Sequence, residues 1–179
     1  MTPTHFPASL AGGAEPALAF DRQRPWRLLI VPALFDEANR MRRFTVEVMR
    51  RLDAAGVDIL LPDLPGCTGS TADFSAQTPE TWRAAMAAAK AHFEASHVLA
   101  IRGGALVAPE ALHNWHYAPA NGASLLRQML RAQAIAAREA GREETIQSLL
   151  DRGLAEGMTL AGYSFGAEFL RQLQVLESQ

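Results

Sequence analysis

The chain has 179 residues, 49% hydrophobic and 20% charged, the size and balance of one globular domain, which excludes disorder and collagen-like sequence. Lys and Arg number 17 against 19 Asp and Glu, a net charge of -2, so no field draws in nucleic acid or an anionic membrane. Cys67 is the one cysteine and permits no internal disulfide, and no Cys/His cluster has the spacing of a zinc site.

Residues 1–20 lack a charged start followed by a long apolar run, so they do not read as a secretory signal, and no stretch is long and apolar enough for a membrane span. A cytoplasmic protein with neither metal nor cofactor is the expectation. Residues 1–25 read as an irregular lead-in with one weak strand over 17–20. From Trp26 short apolar runs alternate with helical stretches, the form of repeated βα units, and residues 26–179 read as one domain.

Five strands are predicted, over 27–31 (RLLIV), 57–61 (VDILL), 97–101 (HVLAI), 114–117 (NWHY) and 158–163 (MTLAGY). Between the first two, Met41, Phe44, Val48 and Leu52 recur every three or four residues and Gly56 follows, which predicts an amphipathic helix and its end. Thr78 caps the next helix, Pro79 opens it, and Trp82, Met86, Ala89 and Phe93 form its buried stripe. Helices over 122–140 and 143–154 follow the fourth strand, and 120–157 reads as a helical insertion or cap. Arg127, Arg131, Arg138 and Arg142 fall near one face there, a solvated stripe. A last helix carries Phe169, Leu173 and Leu176. The sum is an α/β fold, a three-layer sandwich around a mostly parallel sheet.

In such a sheet, ligands bind beyond the carboxyl ends of the strands. Gly162-Tyr163-Ser164-Phe165-Gly166 spells the G-x-S-x-G nucleophile elbow between a predicted strand and helix. After Gly166 come Glu168 and Glu177 but no Asp or His, so a triad needs a rearranged order, with His116 and Asp63 at other strand ends as base and acid. Otherwise the glycines serve packing and Ser164 caps the last helix. His113 and His116, three apart beside Glu110, read as structural rather than metal-binding, and Cys67 as a packing residue. Glu37, Arg42 and Arg43 either anchor a carboxylate or phosphate or form ion pairs at the sheet rim.

The loop from Asp63 through Ser70 resembles the D-x-x-G-x-G-x-S loop of α/β-hydrolases, with Thr68 in place of the second glycine. Together with Glu37, Asn39, Arg42 and Arg43 upstream and Trp82 downstream, LLPDLPGCTGSTADF resembles the exosortase A system-associated hydrolase group of that superfamily. The resemblance implies a short, truncated α/β-hydrolase-like fold and a setting of protein export alongside exopolysaccharide production. It also moves the elbow to the strand over 97–101, where Arg102 takes the nucleophile's place. Arginine does not deprotonate near neutral pH and cannot attack. Arg102, Gly103, Glu37, Arg42 and Arg43 then form the expected ligand-binding set. Two elbows, at Arg102 and Ser164, are mutually exclusive. They separate a protein without serine-hydrolase catalysis, binding a small molecule or a partner, from an esterase or thioesterase using Ser164. A third expectation is a homo-oligomer whose partner covers an open sheet edge.

Overall fold

The computed structural model describes residues 1–7, 13–111 and 113–178. Its sheet is built from β1 (Thr2–Pro7), β2 (Ala14–Phe20), β3 (Arg27–Val31), β4 (Asp58–Pro62), β5 (His97–Ile101) and β6 (His113–Tyr117). Their order is β1-β2-β4-β3-β5-β6. The pairs among β3 to β6 are parallel, and β1 and β2 join antiparallel at one side. Leu28 to Val31 and Ile59 to Leu61 are buried on both faces, as continuous apolar runs in a covered parallel sheet should be. The α/β three-layer sandwich with a mostly parallel sheet is therefore observed.

The lead-in is more regular than expected, and the strand read over 17–20 falls within β2. Its described part holds β1 and β2, an antiparallel pair in which Pro7 meets Ala14. Phe6, Ala17 and Ala19 are buried, the two alanines spaced two apart on β2. Asp58, only 3% exposed, fastens the segment between β2 and β3: its carboxylate accepts from the backbone N–H groups of Arg22 and Arg24 and from Arg27 Nη1.

Among the described residues five helices cover the sheet: α1 (Asp36–Ala54), α2 (Pro79–His92), α3 (Gly122–Glu139), α4 (Ile146–Glu156) and α5 (Ala167–Val175). Thr78 caps α2 as expected, its side chain accepting from Thr81 N–H while the Thr81 hydroxyl accepts from Thr78 N–H. Trp82, Met86, Ala89 and Phe93 are all buried. The four arginines of the α3 region are exposed. Among the described residues, no helix is long and apolar enough to cross a membrane.

The two faces are covered unequally. One carries α2 to α5 and the larger core cluster, including Leu29, Val31, Val98, Trp82, Leu126 and Phe169. The other, with Leu28, Ile30, Ile59 and Ile101, is covered by α1 through Met49 and the flanking Met41 and Leu52. The buried stripe of α1 is thus offset from the expected one: Thr45 and Met49 are buried, whereas Phe44 remains 44% exposed.

The predicted strand over 158–163 is two strands. β7 (Met158–Leu160) turns back antiparallel into β8 (Tyr163–Phe165), apart from the main sheet. Ala161 and Gly162 occupy the turn with φ of 50° and 84°, the left-handed pair of a tight hairpin turn.

Behind this hairpin, α3 and α5 meet closely enough that a Cβ on Gly122 would run into the Leu173 carbonyl oxygen. Gly122→Ala should therefore lower the unfolding free energy by about 1–3 kcal/mol, read as a reduced urea midpoint at unchanged slope.

Candidate functional site

The carboxyl end of β5 turns sharply. Arg102 has φ 54°, a left-handed conformation costing a non-glycine residue about 1–2 kcal/mol, and a short 3₁₀ turn over Arg102–Leu106 follows. What forces the bend is close packing. A Cβ on Gly104 would strike the carbonyl oxygens of Val31 and Pro32, and one on Gly103 would press on Leu125 and Leu34. Ala100 is small and fully buried on the incoming side. Small residues two before and two after a left-handed central residue, at a strand's exit, form the elbow geometry that exposes a nucleophile. Here it exposes an arginine.

The guanidinium is held where it emerges. Arg102 Nη2 donates to Glu37 Oε1 at 3.0 Å, Nε approaches Oε2 at 3.4 Å, and Nη1 donates to the Ala118 carbonyl at 3.1 Å. Glu37 lies in the first turn of α1, and hydrogen bonding to it pushes the arginine's pKa higher still. The two candidate ligand residues therefore satisfy each other.

Beside them the Asp63 loop folds on itself. Gly66 and Thr68 have positive φ, Ser70 Oγ accepts from the N–H groups of Gly66 and Ala72, and the Trp82 indole donates to the Pro65 carbonyl at 2.9 Å. Asp63 accepts from Gly69 N–H at 3.2 Å and lies 3.8 Å from Arg42 Nη1. Burial pushes the Asp63 carboxyl's pKa up, aided by Glu15 and opposed by the Gly69 N–H and Arg42. Arg43 is exposed and makes no ion pair among the described residues. Between this loop, α1 and Tyr163 lies a cavity of about 30 Å³, room for a water or two.

The alternative triad is not brought together. Ser164 sits mid-strand in β8, exposed, its hydroxyl 3.3 Å from that of its cross-strand partner Thr159. It is neither on a strand-to-helix elbow nor a helix cap: Gly166 precedes α5. His116 lies on β6 beside Ala105 and Asn114, its Nε2 buried without a hydrogen-bond partner. Among the described residues no hydrogen bond links Ser164, His116 and Asp63, and no group of His, Cys, Asp or Glu is arranged to hold a metal. Cys67 is equally unsuited to attack, since burial and the nearby carboxylates of Asp63 and Glu15 push its thiol up to about 12.

Sequence reasoning missed Glu15, 4% exposed with Oε2 unpartnered; no local signal marks it. It also missed the ring cluster of Phe35, Phe74, Trp82, Tyr163, Phe165 and Phe169 that seats the β7–β8 hairpin. Its members lie too far apart in the chain for periodicity to join them.

No protein-family model and no curated protein matches the chain. Solved structures do. Mouse α/β hydrolase domain-containing protein 10 superposes with a TM-score of 0.61 at 12% identity, over 97% of this chain and 70% of that one. The α/β hydrolase GrgF from Penicillium sp. sh18 gives 0.60 at 14%, over 98% and 73%, and the bottromycin epimerase BotH gives 0.56 at 14%, over 97% and 72%. Other matches are spanned less fully, one to 60% and one to 33% of its length. The chain has an α/β-hydrolase fold.

Two outcomes check this site. Because only glycine takes a left-handed φ freely, Arg102→Gly should be about 1 kcal/mol more stable than Arg102→Ala in urea titrations, although both lose the Glu37 pair. The raised Cys67 pKa leaves almost no thiolate near pH 8, so iodoacetamide followed by mass spectrometry should show negligible alkylation of the native protein and rapid alkylation in urea.

Proposed function

We propose that this chain is a non-hydrolysing protein on an α/β-hydrolase fold, and that its strand-end rim binds a protein partner. The observation that carries the reading is Arg102 in the left-handed elbow, doubly bonded to Glu37. A nucleophilic mechanism needs an ionisable attacking atom, a base in hydrogen-bond reach and a group orienting that base. Arginine supplies no attacking atom. Among the described residues the hydroxyl of Ser164, the residue that could attack, bonds only that of Thr159.

A partner of protein size suits the rim better than a small molecule. The rim cavity of about 30 Å³ is far below the roughly 300–1,000 Å³ of ligand pockets. Around it stand the Arg102–Glu37 and Arg42–Asp63 pairs, and exposed Arg43, on the same helix as Glu37, offers a guanidinium suited to a bidentate contact with a partner's carboxylate. Gly103, packed beneath Leu34 and Leu125, keeps the arginine at this height. A fold does not fix a reaction: one structural neighbour is named an epimerase. The resemblance of the Glu37–Arg43 and Asp63–Phe74 segments to exosortase A system-associated proteins supports a place in an export or exopolysaccharide system.

The purified protein should release no p-nitrophenol from short-chain esters above the rate of its Ser164→Ala variant, and should take up no fluorophosphonate probe. Labelling of the wild type that disappears in Ser164→Ala would overturn the proposal in favour of an active esterase or thioesterase.

A further inference from the structure

We infer that the free edge of the sheet at β6 is a docking surface for a second copy of this chain, joined strand to strand and antiparallel. The inference does not rest on the reading of the elbow. Among the described residues β6 ends the strand order and pairs only with β5, so the backbone N–H and C=O groups along its outer side have no described strand to bond. The opposite edge, β1, is interrupted by Pro3 and Pro7, residues that blunt edge pairing. In β6, His-Asn-Trp-His-Tyr, there is no proline and no Lys, Arg, Asp or Glu.

The side chains beside this edge are also uncovered. Register places His113, Trp115 and Tyr117 opposite His97, Leu99 and Ile101, on the face that α1 covers through Met49 near β3 and β4. That helix reaches β6 only through Phe44, which lies against Tyr117. Trp115 is 53% and Tyr117 49% exposed, alongside Trp26 at 60% and Phe44 at 44%. The rings are already ordered: Trp115 stacks on His97 at 5.3 Å, Trp26 meets His97 at 5.3 Å, and Tyr117 stacks on Phe44 at 5.5 Å.

Charge and register select the occupant. An antiparallel pair centred on Trp115 sets Trp115 against Trp115, His113 against Tyr117 and Asn114 against His116, so ring faces ring on one side of the sheet and polar group faces polar group on the other. No formal charges of like sign meet, and a strongly charged partner would find no opposite charge on the strand. A C2 pairing of this kind repeats each contact twice and closes. Four half-exposed aromatic side chains, each burying roughly 150–250 Å² when fully covered, offer about 400 Å² per copy. With the strand backbone added this lies at or below the roughly 800 Å² per partner of a standard interface, so the pairing should depend on protein concentration.

The test is light scattering on the full chain over about 1 to about 100 μM, with acrylamide quenching of tryptophan at the same concentrations. Trp82 is wholly buried, so Trp26 and Trp115 account for the quenchable emission. The expected result is a mass rising from one chain to two, with quenching that falls as concentration rises. Trp115→Lys, a charge placed on the exposed edge, should remain monomeric with unchanged circular dichroism and lose the concentration dependence. Ile135→Lys, at an exposed position of α3, should still dimerise. A wild type that stays monomeric throughout overturns the inference, as does a dimer that survives Trp115→Lys or is dissolved by Ile135→Lys.

Discussion

The close approach of Gly104 to the carbonyl oxygens of Val31 and Pro32 governs the upper rim of this molecule. Because no Cβ fits there, the chain leaving β5 lies directly against the exit of β3, and Arg102 must turn through a left-handed conformation to make the approach. The bend lifts the arginine to the height of the α1 N-terminus, where Glu37 meets it. Helix start, strand exit and side-chain pair are therefore one arrangement. The pair is partly exposed, 34% for the arginine side chain and 13% for the glutamate, and solvent screening limits such contacts to about 1 kcal/mol or less. That is comparable to the backbone strain at Arg102, so the pair offsets the elbow rather than driving it. The drive comes from the packing of Gly103 and Gly104 beneath it.

A second constraint is the unequal covering of the sheet. Four helices on one face hold a continuous core from Phe6 to Leu173, while α1 alone serves the other. Where α1 ends its reach, residues that alternate onto its face have no helix to bury them, and Phe44, Trp115 and Tyr117 settle against neighbouring rings instead. This accounts for the offset in α1. Thr45 and Met49 occupy the line facing β3 and β4, and Phe44 points along the sheet toward β6.

What could be read from the sequence was what short-range chemistry determines. The apolar runs of β3, β4 and β5 carry their own signal, and Thr78 with Pro79 marks the start of α2 wherever the helix packs. Of the β1–β2 pair only the end of β2 was legible, as the strand over 17–20; the rest was hidden because the inward residues include Ala17 and Ala19, too small to raise an apolar period, and prolines interrupt both strands. The split of 158–163 was equally hidden: Ala161 gives no sign that it will adopt φ 50°, and an unbroken apolar run reads as one strand. The Glu37–Arg102 contact joins residues 65 apart in the chain, and only the tertiary approach of β3 and β5 creates it.

The two spellings of an elbow show why a motif is weaker evidence than the strain it stands for. Gly162-Tyr163-Ser164-Phe165-Gly166 has the letters, yet Gly162 spends its positive φ on a hairpin turn and Ser164 lies in extended backbone. Ile101-Arg102-Gly103-Gly104 lacks the letters and has the bend. Glycines in a nucleophile elbow matter because backbone atoms of adjacent strands pass within contact distance of them. At Gly104 those atoms are present, and around Gly162 nothing lies within 4 Å of where a Cβ would stand. The elbow is thus a property of how β5 packs on β3. A side chain placed at its apex takes the exposed position whether or not it can react, and in this chain that side chain is an arginine already bonded to Glu37.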